Sequence, residues 1–209
     1  MKNFNQYLNE RYELNLNNSI IVDIQPEYKN AMFFNINEFL NYLLKLINYN
    51  KKILYYYNGP DMSMSSVRDI IQWLLEYYNF NYKNDEYDEY DSIYNLLYKN
   101  IIWIDKSYGF LRDFMDAGIP EDVTLKIIRY MAINKLRSSK EIPKNELYKI
   151  TNEDINCKEI WFPSFQIDIL KQFSGSYIMG GYEHECLREM QLIMNAFNIK
   201  YTTFRKFVF

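Results

Sequence analysis

The sequence predicts an α/β fold, a three-layer sandwich on a mostly parallel five-stranded sheet with a helical insertion. Three observations carry that expectation. Short apolar runs alternate with helical patterns along the chain, the order that βαβ units produce. The runs are continuous rather than alternating, as in SIIVDI (19–24), which suits strands covered on both faces. Strong breakers such as Asn58-Gly59-Pro60 separate the runs from the helical stretches.

Taken in order, SIIVDI (19–24) is the first strand, and NINEFLNYLLKLI (35–47) follows as a helix with Phe39, Leu40, Leu43 and Ile47 on one face. KKILYYY (51–57) is the second strand. Ser66, with Asp69 three residues on, has the form of a capping box and opens a helix through Ile70, Ile71, Leu74 and Leu75. NIIWID (100–105) is the third strand, and a helical pattern, FLRDFMDAG, comes after it. SYIMGG (176–181) is the fourth strand, followed by a helix from Cys186 that carries Leu187, Met190, Met194 and Phe197 on one face. KYTTFRKFVF closes as the fifth strand. The whole is a Rossmann-like arrangement, read as a single domain over 1–209.

Two stretches break the rhythm. NDEYDEYD (84–91) is acidic and lacks both the turn glycine and the ligand spacing of a calcium loop, so it reads as a solvated loop. Residues 120–175 exceed an ordinary crossover. They read as an insertion that carries the helical EDVTLKIIRYMAINKL and then EIWFPSF, whose Trp161 and Phe162 need a place to be buried. The insertion is expected to border the pocket or an oligomer interface.

Composition excludes several function classes. The formal charge of −3 is spread over mixed signs and leaves no nucleic-acid footprint. No apolar run reaches the roughly 18 residues of a membrane span, and the N-terminal stretch lacks the apolar core of a signal peptide. Two cysteines, Cys157 and Cys186, do not make a disulfide framework. A reducing, cytoplasmic setting is the expectation, with neither nucleic acid nor membrane as partner. The excess of Asn, Ile, Lys and Tyr speaks of an AT-rich genome and carries no function. One histidine, His184, cannot build a multi-histidine metal site. No metal and no cofactor are expected.

In such a sheet, ligands bind beyond the carboxyl ends of the strands, where strand order reverses. Three reactive side chains fall at strand ends: Asp23 after the first, Lys106 after the third and Cys186 after the fourth. A thiol at a helix entrance sees the positive end of the helix dipole, which favours the thiolate. A carboxylate, an ammonium and a thiol together can perform nucleophilic acyl chemistry. Each also has a plainer reading: Asp23 as a turn cap, Lys106 as a surface charge, and Cys186 as a small core residue.

The pattern resembles the isochorismatase-like cysteine hydrolases, which include nicotinamidases and N-carbamoylsarcosine amidohydrolases. Asp23, Gln25 and Tyr28 stand in the spacing of the family's D-x-Q-x-x-[FY]. Lys106 with Phe110 resembles the family's lysine after the third strand, and Gly180 with Cys186 keeps its glycine-to-cysteine interval. The resemblance implies that Cys186 is the nucleophile, Asp23 its base and Lys106 their electrostatic partner. It also implies an oxyanion hole from the backbone N–H groups of Tyr182 and Cys186, with a cis peptide at Gly181–Tyr182. Gln25, Tyr28, Phe110, Gly181 and His184 are the candidates for lining the pocket.

The chain departs from the family where Tyr182 and Glu183 follow the glycines, and in lacking the metal-binding Asp and His residues of nicotinamidases. The expected activity is cleavage of a small amide or related C–N or C–O substrate through a thioester, in a homo-oligomer. The alternative is a catalytically inactive member of the fold that serves as a structural or partner-binding module, with its tyrosines and tryptophans as adhesive surface.

Overall fold

The computed structural model of the chain describes residues 16–59, 64–78, 86–106, 118–152 and 166–209. Five strands form one sheet: β1 (Ser19–Val22), β2 (Ile53–Tyr57), β3 (Ile101–Asp105), β4 (Ser176–Gly180) and β5 (Tyr201–Thr203). Their order is β3-β2-β1-β4-β5, and every neighbouring pair is parallel. The chain therefore steps outward from β1 to β3, returns past β1, and lays β4 on its other side. The carboxyl ends of β1 and β4 flank the point where strand order reverses, which is the position such sheets use for ligands.

The continuous apolar runs are explained by cover on both faces. Ile20, Val22, Leu54, Tyr56, Ile104 and Ile178 face one apolar cluster. Ile21, Ile53, Tyr55, Ile101 and Met179 face the other. Three helices pack on the second face: α1 (Ile36–Asn48), α2 (Val67–Glu76) and α3 (Glu86–Asn100). Asn35 caps α1 by accepting from the N–H groups of Asn37 and Glu38. Ser66 and Asp69 form the reciprocal capping box expected for α2. The first face is covered by α4 (Glu121–Ile133), α5 (Lys144–Thr151), α6 (Ile167–Lys171) and α7 (Cys186–Ala196).

Residues from the long β3–β4 connection thus help build the core. Ile127, Ile128 and Met131 of α4, with Leu170 of α6, share a cluster with Leu187, Met190 and Ile193 of α7. Trp161, Phe162 and the helical pattern FLRDFMDAG, apart from its final Gly118, lie outside the described residues.

Two local expectations are corrected. The acidic run expected as a loop supplies the start of α3 from Glu86. The spacing Tyr90, Ile93, Tyr94 and Leu97 turns one side of that helix to the core, with Ile93 and Leu97 buried. The fifth strand is also shorter than 200–209. It ends at Thr203, and a 3-10 turn over Arg205–Phe207 follows. That turn lets Phe207 pack among Phe39, Tyr42 and Phe34, a burial that a straight edge strand would forgo. Among the described residues, no helix is long and apolar enough to cross a membrane.

Candidate active site

Asp23 is the first residue beyond β1. Its N–H still reaches Tyr56 O (2.9 Å), yet its φ is 50°, a left-handed conformation uncommon outside glycine. Such a backbone costs about 1–3 kcal/mol and persists where its surroundings hold it. Here they do: Asp23 is fully buried, and the next residue's carbonyl, Ile24 O, accepts from the buried Tyr55 hydroxyl. Gln25 then fastens the end of β1 to the end of β2. Asn58 N donates to Gln25 Oε1 (3.0 Å), and Gln25 Nε2 donates to Asn58 O (3.4 Å) and to Glu27 Oε2 (3.0 Å). Gln25 is buried and engaged with this backbone, so the structure gives it a framework position rather than a free pocket face.

Tyr28 stands nearer the chemistry. Its hydroxyl accepts from Asn58 Nδ2 (3.2 Å), and its ring packs edge-on against Tyr182, centroids 6.1 Å apart. Burial and the Asp23 charge push its phenol up to about 12, so it is a neutral hydroxyl at physiological pH.

Lys106 follows β3 and continues the ladder through its N–H to Tyr57 O (3.0 Å). Its side chain turns inward and is 1% exposed as a whole residue, a rare state for lysine without a charge partner. Lys106 Nζ lies 2.5 Å from Asp23 Oδ2 and 3.8 Å from Glu189 Oε2. Burial alone would lower the ammonium pKa, but Asp23, then Cys186 and Glu189, outweigh it and hold Lys106 protonated. The neighbouring Asp105 accepts from Gly59 N (3.1 Å), and a Cβ on Gly59 would overlap that carboxylate. The breaker after β2 is therefore a seat for the end of β3.

Cys186 is the first residue of α7 and is half-buried. Gly180 and Gly181, both at positive φ, bring the chain from β4 to the helix entrance. A Cβ on Gly180 would sit 2.1 Å from Val22 O, and one on Gly181 would sit 3.1 Å from Cys186 Cβ. Both positions need glycine for close approach. Glu185 N and Leu187 N both donate to Tyr182 O (3.1 and 3.2 Å). Phe209 pairs with the same loop, its N–H to Gly181 O (3.2 Å) and its carbonyl accepting from Glu183 N (2.9 Å). Among the described residues, the N–H groups of Tyr182 and Cys186 have no backbone acceptor. The expected cis peptide is not found: no described peptide bond is cis.

The thiol is held protonated. Burial pushes Cys186 up first, the Asp23 charge adds to it, Lys106 opposes, and Glu189 adds again; the sum lies well above the ordinary thiol range. The thiolate that a helix entrance favours is therefore not the resting form here, because burial and the Asp23 and Glu189 charges outweigh Lys106. The thiol lies close enough to Asp23 to interact through its proton, while neither Asp23 oxygen has a well-aligned hydrogen-bond donor.

The structure thus brings Asp23, Lys106 and Cys186 together and sets Tyr28, Gly181 and Tyr182 beside them. His184 lies apart. It is exposed and lines an open cleft of about 510 Å³ with Phe33, Tyr182, Arg205 and Phe209. Phe110 and Cys157 fall outside the described residues. Sequence reasoning missed Glu189, which is 4% exposed on the first turn of α7. The available signal was its i+3 spacing from Cys186, which puts both on one side of the helix. Among the described residues, no three His, Cys, Asp or Glu side chains are grouped so as to hold a metal ion.

Fold and site define a class: a parallel α/β domain with a buried carboxylate and ammonium beside a half-buried thiol at its strand-order reversal. No protein-family model matches the chain. No curated protein matches it, and no solved structure does.

Proposed function

We propose that the chain is a cysteine-dependent hydrolase of the isochorismatase-like kind, acting on a small amide or related C–N or C–O substrate through a covalent thioester. The observation that carries this reading is the Asp23–Lys106 pair at 2.5 Å, buried beside the Cys186 thiol. A buried lysine and aspartate are expensive to desolvate, and replacing such a pair with apolar side chains is often neutral or stabilising. A catalytic role accounts for keeping them next to a nucleophile.

In the proposed reaction, the Cys186 proton passes to the Asp23 carboxylate as Sγ bonds to the substrate's carbonyl carbon. The electron pair displaced from the C=O bond makes an oxyanion, received by the N–H groups of Tyr182 and Cys186. Collapse expels the amine or alkoxide, which takes the proton from Asp23. The regenerated carboxylate then draws a proton from water attacking the thioester, and the product acid leaves as Sγ recovers its proton. Lys106 stays an ammonium throughout and steadies each negative charge in turn. A thiol that is protonated at rest suits this sequence, because its proton moves only as the new bond forms.

The test is product release from a panel of small amides, N-carbamoyl compounds and esters. Turnover that vanishes in Cys186→Ala supports the reading. Turnover that survives that substitution, or its absence across the panel in the unaltered chain, refutes it.

A further inference from the structure

Two carboxylates, not one, face Lys106. Asp23 Oδ2 is 2.5 Å from Nζ and Glu189 Oε2 is 3.8 Å away, and all three side chains are at most 5% exposed. Glu189 sits one turn after Cys186 on α7, so the helix that presents the nucleophile also presents this second charge. We infer that Glu189 is a positioning residue that gives Lys106 a second, fixed counter-charge throughout the reaction. The inference rests on the catalytic reading of Cys186 and adds a member to its machinery.

The need for it follows from the proton's path. When the Cys186 proton moves to Asp23, the S–H bond breaks, an O–H bond forms, and Asp23 becomes a neutral acid. Lys106 then loses its nearest negative charge in a place that water does not reach. A buried ammonium without a counter-charge tends to shed its proton. The Glu189 carboxylate, 3.8 Å from Nζ, is then the counter-charge left to Lys106, and in the inferred role it keeps the ammonium charged until the leaving group takes the proton and Asp23 is restored.

The same carboxylate acts on the resting thiol. Among the described residues, the charged groups bearing on Cys186 are Asp23 from the end of β1, Lys106 from the end of β3 and Glu189 from α7 itself. Tyr28, from the turn after β1, also feels Asp23, Cys186 and Lys106. Arg188, next to Glu189 in sequence, is taken up by Glu121 of α4. Asp23 and Glu189 raise the thiol pKa and Lys106 lowers it, so removing Glu189 should release thiolate while removing Lys106 should suppress it.

The experiment is alkylation of Cys186 by iodoacetamide at pH 8, resolved by peptide mass spectrometry in the full chain, which needs no substrate. Glu189→Gln should react at least about threefold faster, since one pKa unit is a tenfold change in thiolate. Glu189→Asp should restore most of the slow rate, and Lys106→Met should react more slowly than the unaltered chain. Opposite signs for Glu189→Gln and Lys106→Met, with amide exchange of α7 unchanged, support the inference. An unchanged rate in Glu189→Gln with a slowed Lys106→Met overturns the role of Glu189 and leaves the catalytic reading standing. A faster Glu189→Gln accompanied by faster exchange in α7 also overturns it, because a loosened helix then explains the gain. A rate that responds to neither variant overturns the catalytic reading and the role of Glu189 together. If Glu189→Gln does not fold, Glu189→Ala carries the test: a faster rate with amide exchange of α7 unchanged supports the inference, and an unchanged rate overturns it.

Discussion

Cys186 is the residue on which the account turns, and its resting state has a measurable consequence. Burial and the Asp23 charge hold the thiol well above its ordinary pKa, with Lys106 only partly offsetting them. At pH 7 it should react with iodoacetamide at least about tenfold more slowly than free cysteine, whose pKa is about 8.5. Peptide-resolved alkylation measures this, and a rate equal to free cysteine would contradict it. The three strand-end residues were legible in the sequence because the motif spacings around Asp23, Lys106 and Cys186 mark where each strand stops. The charge state was not. It depends on desolvation and on Glu189, which a strand-by-strand reading leaves among the polar residues of a helix. Gln25 was legible as a motif residue, but its bonds to Asn58 depend on how the ends of β1 and β2 meet.

At the scale of elements, the sheet was readable because β1, β2 and β4 are short, mostly apolar runs, with a serine only at the start of β1 and of β4. α3 was hidden by its composition. Its acidic and tyrosine-rich start resembles a solvated loop, and only the packing of Ile93 and Leu97 on the sheet shows the helical face. The end of the chain misled in the opposite way, since its β-favouring residues break after Thr203 so that Phe207 can be buried. The β4–α7 junction carries the prediction at this scale. Gly180 has φ 86°, and a Cβ there would meet Val22 O at 2.1 Å, so neither conformation nor space admits a side chain. Gly180→Ala should destabilise the chain by more than about 2 kcal/mol, beyond the ordinary range for a surface change. Urea unfolding measures it, and a loss under about 0.5 kcal/mol would show that the junction can relax.

Across the whole molecule, several buried groups share one direction of shift. Cys186 and Lys106 are raised, Tyr28 and Tyr42 are pushed up to about 12, and the buried Tyr55 and Tyr56 are raised further. Each binds its proton more tightly when folded than when unfolded. Their stabilisation is fully present below the unfolded values, about 8.5 for the thiol and about 10 for the phenols and lysine. It is lost as pH rises towards the folded values, because the unfolded chain then carries fewer protons than the folded one. The melting temperature should fall steadily from pH 9 to pH 11, as read by scanning fluorimetry, and a flat profile over that range would contradict the shifts. The central claim is that the buried cluster makes Cys186 a nucleophile with Asp23 as its base, and acid-quenched mass spectrometry of the chain mixed with a small activated ester tests it most directly. The account predicts an acyl group on Cys186 that forms and then decays as product appears, and that forms far more slowly in Asp23→Asn; no acyl group on Cys186, or equal formation in Asp23→Asn, would contradict it.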